Sequence, residues 1–107
     1  MKSKKTAPAV REINEYRLKG RHASGLVREE TWQQAGEVIR YSLAYINHSI
    51  CAKDNGRVLG YDNSHGYHHR HYMGTVEPCK FEGYDKLLTR FELEVLEIRR
   101  KADEQDY

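Results

Sequence analysis

Hydrophobic and polar positions change period twice along the chain. Between Pro8 and Lys19, Val10, Ile13 and Tyr16 fall three apart. Pro8 suits a first helical position and Gly20 a stop, so this stretch predicts a short N-terminal helix. Gly25–Trp32 then reads as a strand, with Gln33–Gly36 as its turn. The next run, Glu37–His48, crowds together Val38, Ile39, Tyr41, Leu43, Tyr45 and Ile46, a β-branched and aromatic density typical of strands. Asp54-Asn55-Gly56 tolerates the positive φ angles of tight reversals and joins that strand to another over Arg57–Tyr61. A second break, Asp62–Gly66, leads into a strand over Tyr67–Met73, and Gly74–Gly83, with Pro78 inside it, reads as a loop.

From Tyr84 onward the period becomes helical. Tyr84, Leu87, Leu88, Phe91, Val95 and Ile98 fall on one stripe, with charges on the other face. Such a stripe must pack across a sheet. The pattern therefore predicts an α+β domain: a four-stranded, mainly antiparallel sheet, a long C-terminal helix packed on it, and the short N-terminal helix.

A length of 107 residues allows about one domain. Residues 1–7 read as a disordered basic tail and 8–107 as the domain. Nowhere do about 18 apolar residues run consecutively, so no membrane span is expected. The basic start lacks an apolar region behind it, which argues against a secretory signal. Cys51 and Cys79 stand apart, as buried small hydrophobes do in a reducing cytoplasm.

Charge is uneven. Residues 1–28 carry eight Lys/Arg against two Glu, whereas the rest is slightly acidic. A basic arm of this kind, including Arg11, Arg17, Lys19 and Arg21, suits contact with a phosphate backbone, and a solvated tail gives the same pattern.

Chemistry concentrates in one place. His65, His68, His69 and His71 fall within seven positions, beside Asp62, Asn63 and Arg70. Strand alternation puts His69 and His71 on one face, with His68, Arg70 and Tyr72 on the other. Three explanations compete. A histidine pair can move the protons of phosphodiester cleavage while an arginine stabilises the developing charge. Histidines with Asp62 can hold a metal ion, although no established ligand spacing such as HExxH is present. Imidazoles can also simply hydrogen-bond within a sheet. Tyr41, Tyr45, Tyr61, Tyr67 and Tyr72 could stack on bases or be half-buried strand residues. There is no phosphate-cradling glycine loop, serine-nucleophile elbow or dinucleotide fingerprint.

Three blocks in order, Gly60-Tyr61-Asp62-Asn63, His65-Gly66 and His69-Arg70-His71, precede a helix reading LLTRFELEVLEIRR. Over roughly residues 37–100 this resembles the TumE family of bacterial toxin–antitoxin proteins. The resemblance implies a small cytoplasmic toxin partnered by a helix-turn-helix antitoxin, and the element order is similar to RelE-like ribonuclease toxins by fold analogy. The expected function is accordingly a type II toxin acting as a metal-independent endoribonuclease, with no cofactor. His69 and His71 are expected as the acid/base pair, Asp62 as the orienting carboxylate, His65 as a further base or substrate contact, and Arg70 on the phosphate. Asn63, Arg11, Arg17, Lys19 and Arg21 are expected to bind RNA. Alternatives are a non-catalytic module binding nucleic acid or protein, and a metal-dependent nuclease using the same histidines. Ribosome association and homodimerisation are left open.

Overall fold

The computed structural model describes residues 8–104. The tail expected over residues 1–7 lies outside the described residues.

Six strands run as a meander, each antiparallel to the next: β1 (Val10–Leu18), β2 (Gly25–Gln34), β3 (Glu37–Ile46), β4 (Arg57–Asp62), β5 (His69–Tyr72) and β6 (Thr75–Pro78). One helix follows, α1 (Tyr84–Glu104), packed on β3 and β4. The α+β class and the C-terminal helix agree with the sequence reading; the strand count and the N-terminal helix do not.

The segment expected as a helix is the edge strand β1. Its Val10, Ile13 and Tyr16 satisfy a three-residue spacing, but strand alternation puts Ile13 on the face opposite Val10 and Tyr16, and all three remain exposed. Cross-strand partners decide the outcome instead. Arg11 meets Glu30, Glu15 meets Arg28 (2.9 Å) and Tyr16 donates to Glu29 (3.1 Å). Each such pair outweighs a marginal helix propensity in a segment too short to be stable alone. The short N-terminal helix expected from that spacing is therefore absent from the described residues.

The second unexpected strand, β6, arises because Met73 and Gly74 both take positive φ (50° and 88°), a two-residue reversal that pairs Tyr72 with Thr75. Pro78 ends it on the sheet edge, where a missing N–H does no harm. The Asp54–Gly56 reversal is present, but as the end of a longer connection from Asn47, closed by Asn47 N–H donating to the Gly56 carbonyl (2.8 Å).

The core lies on one face of the sheet. Val27, Tyr41, Leu43, Tyr45, Leu59 and Tyr61 meet Leu87, Phe91 and Val95, the buried part of the expected helical stripe. Tyr61 meets Phe91 edge-on at 6.4 Å. The far end of α1 is tied down by Arg99, which donates to the Ala23 and Lys19 carbonyls (3.0 and 2.8 Å). Among the described residues, no helix or strand crosses the opposite face. No helix among them is long and apolar enough to span a membrane.

Candidate active site

Register alone assembles the site on the uncovered face. Asp62 on β4 pairs with His69 on β5, and Gly60 with His71, so Asp62, His69 and His71 share that face. Asp62 then bridges both imidazoles. His71 Nε2 lies 2.8 Å from Asp62 Oδ2, and His69 Nδ1 lies 3.1 Å from Oδ1. Ser64 adds its amide (3.2 Å) and its hydroxyl (2.8 Å) to Oδ1. Burial alone would push the Asp62 carboxyl up, but the hydrogen bonds from Ser64 and His71 outweigh it and hold the carboxyl below its usual range. Asp62 is thus an ionised anchor at neutral pH.

Arg57, which sequence reasoning did not single out, completes the group. Its Nη2 donates to His71 Nδ1 at 3.0 Å, and its Nε is held by Asp54 at 2.7 Å. Plain alternation would point Arg57 toward the helix, along with Leu59 and Tyr61. The ladder between β3 and β4 shifts register at Tyr45/Ile46, however, and Ile46 pairs directly with Arg57. That bulge turns the side chain onto the histidine face. Gly60 leaves room for it: a Cβ there would sit 2.7 Å from Arg57 Cδ and 3.0 Å from the Leu43 carbonyl.

This network assigns a tautomer to His71. Arg57 can only donate, so Nδ1 must accept, and the ring proton sits on Nε2 facing Asp62. His71 is therefore oriented by a carboxylate at one nitrogen and offers a lone pair at the other.

His69 differs. It is 5% exposed, and its Nε2 is buried with no hydrogen-bond partner. Tyr67 covers it at 4.0 Å and His65 stacks near it at 6.3 Å. His65 itself is exposed, on a left-handed turn residue (φ 63°) before Gly66.

The remaining expected site residues lie elsewhere. Arg70 points to the helix side, where it donates to Glu94 (2.8 Å) and to the Tyr61 hydroxyl (3.0 Å). It is not brought together with His69 and His71, as the alternation of a regular strand requires. His68 faces the same side, against Phe81 (4.0 Å) and the Tyr41 hydroxyl (2.7 Å). Burial, with His69 nearby, lowers its pKa below the ordinary 6.5. Asn63 bonds backbone rather than solvent: its Oδ1 accepts from Tyr41 N–H (3.0 Å) and its Nδ2 donates to the Ile39 carbonyl (3.1 Å). Arg11 and Arg17 alternate onto the uncovered face of β1, and Lys19 and Arg21 lie beyond the end of that strand.

The family model described as toxin TumE matches residues 6–100. This chain belongs to that family. The match takes in β1 and β2 of the TumE chain, which the motif resemblance over residues 37–100 did not reach. Comparison with curated proteins and with solved structures found no match. In this TumE chain the three sequence blocks thus have distinct local duties. Gly60–Asn63 supplies the carboxylate and the gap for Arg57, His65-Gly66 makes the reversal, and His69-Arg70-His71 puts one imidazole under cover and one beside Arg57.

Proposed function

We propose that this TumE toxin is a metal-independent endoribonuclease, restrained in the cell by a helix-turn-helix antitoxin. The observation that carries the reading is His71, held by Asp62 at Nε2 and presenting Nδ1 next to a guanidinium on an open sheet face. A phosphate drawn to Arg57 takes over its Nη2 hydrogen bond and frees the lone pair at His71 Nδ1. His71 then accepts the proton of the ribose 2′-hydroxyl. The 2′-oxygen bonds to phosphorus, the P–O5′ bond breaks, and His65, the accessible imidazole of the cluster, protonates the departing oxygen. Asp62 stabilises the imidazolium formed at His71, and Arg57 stabilises the charge on the phosphorane. His69, expected from sequence as half of the acid/base pair, acts here as a positioning residue that fixes the second oxygen of Asp62.

Purified chain should cut single-stranded RNA in excess chelator and leave 2′,3′-cyclic phosphate and 5′-hydroxyl ends. No cleavage, with or without ribosomes, overturns the reading and favours a non-catalytic binding module.

A metal-dependent nuclease is the second reading, because ligand atoms of Asp62, His69 and His71 lie within 4.8 Å of one another. A histidine ligating through Nε2 carries its proton on Nδ1 and donates it outward. At His71 that proton would face the Arg57 N–H, donor against donor. The observed donor set therefore favours the metal-free assignment. Loss of activity in chelator, restored by one divalent ion, reverses that order.

A further inference from the structure

The uncovered face carries Arg11, Arg17, Arg28, Arg40 and Arg57, whereas Arg70 is the one arginine that the strands turn toward the helix. Carboxylates occupy several of them: Glu30 takes Arg11 and Arg28, Glu15 takes Arg28, and Asp54 takes Arg57. Arg40 is different. Like Arg17 it is exposed with no carboxylate on it among the described residues, but its guanidinium also lies over the Trp32 ring at 4.6 Å. Its cross-strand partner is Trp32 itself. Stacking on an indole holds a guanidinium flat and in place, with its edge and outer plane open to a ligand.

The position fits the proposed centre. Arg40 lies four residues along β3 from Ala44, Ala44 pairs with Gly60, and Gly60 pairs with His71. Strand geometry puts Arg40 and His71 about 16 Å apart at the backbone. That is the span of roughly five nucleotides of a stacked strand.

We propose that Arg40, held flat by Trp32, is a nucleotide-binding subsite for single-stranded RNA, gripping the strand about five nucleotides from the scissile phosphate. This rests on the ribonuclease reading for its substrate class. Arg40 takes a backbone phosphate at its edge and a base on its outer plane, the mode by which guanidinium planes receive unstacked bases. Sequence preference is weak, because every base has a π-face.

Trp32 is the single tryptophan of the chain, so its emission reports on the surroundings of that ring, which Arg40 shares with Arg11 (5.6 Å), and the Arg40 variants separate the two. The probe is an eight-nucleotide 2′-O-methyl oligoribonucleotide, which lacks the hydroxyl needed for cleavage, titrated into the full chain. Saturable change in Trp32 emission is expected. By anisotropy of a labelled oligonucleotide, Arg40→Gln should bind about tenfold or more weakly, with a salt slope about one unit shallower. Arg40→Lys, which keeps the charge without the plane, should fall between, and Trp32→Phe should lose affinity while circular dichroism shows an intact fold. Unchanged emission with equal affinity of Arg40→Gln and the parent chain overturns the subsite, even if the parent cleaves RNA. If the parent binds as expected but cleaves nothing, the subsite stands and the nuclease reading fails. Emission that responds to the antitoxin and not to the oligonucleotide overturns the proposal in favour of a protein-binding face.

Discussion

The two faces of this sheet solve opposite problems with the same strands. Toward α1, Tyr41, Leu43, Tyr45, Leu59 and Tyr61 are almost fully buried, and the one arginine there, Arg70, is matched by Glu94 and Tyr61. Even the cavity of about 550 Å³ on that side, between Arg70, Tyr72, Glu94 and Lys101, holds none of Asp62, His69 or His71. Toward solvent, the same strands carry arginines, two site imidazoles and the Asp62 carboxylate, in a network that aims the His71 Nδ1 lone pair at the Arg57 guanidinium. One face is spent on stability; the other is free to hold polar groups because nothing apolar has to be covered there.

The comparison breaks first on the helix side. Phe91→Ala, at a fully buried position, should cost about 3–5 kcal/mol. That is a large share of a typical small domain's stability, about 5–15 kcal/mol. Denaturant unfolding should show it, and toxicity should fall only in proportion to the folded fraction. On the open face, His71→Ala should lower RNA cleavage by about 10²–10⁴-fold. Its melting temperature should stay close to that of the parent chain, and a large drop instead would make His71 a structural residue. Gly60→Ala sharpens the contrast, because its Cβ would press on Arg57 Cδ from 2.7 Å. Displacing a catalytic group by about 1 Å can cost up to about 10²-fold in rate. The loss should appear in turnover, and truncating Arg57 to Ala in the same chain should relieve that contact without restoring the rate.

The smallest effect expected is a dependence of stability on pH. His68 titrates below 6.5 in the folded protein, so as pH falls through 6.5 the unfolded chain gains a proton that the folded one resists, and stability declines. Asp62, held below 3.8, contributes stability that persists above 3.8 and is lost only as pH falls through its lower folded value. Thermal melts from pH 7.5 to 5.5 should show the first decline, and His68→Asn should remove it. A flat profile in the parent chain would show that the burial of His68 does not discriminate between its protonation states.

Strands β2 to β5 and α1 were legible in the chain because their apolar residues alternate or recur in fixed phase against one core. β1 was not, since Val10, Ile13 and Tyr16 stay exposed and the segment is held by charged cross-strand partners that local pattern cannot reveal. β6 was hidden by Pro78, a residue that marks sheet edges as well as loops. At the site, alternation correctly grouped His69 with His71 and set Arg70 apart. The grouping of Arg57 with them needed a bulge between β3 and β4, a property of two strands and not of one. The visible clue was Gly60, because glycine inside a strand often marks the close passage of another group.

The meander has a consequence for how the chain acquires its activity. Each strand pairs with its neighbour in sequence, so the sheet needs only short-range closures, which form quickly. The 21-residue helix comes after all of them in synthesis, yet it supplies Leu87, Phe91 and Val95 to the core. A nascent chain that has emerged as far as Gly83 already contains Asp62, His69 and His71, but its sheet has no seal on the apolar side. Docking of α1 on β3 and β4, after the strands have paired, is therefore the step expected to fix the strand that carries Asp62.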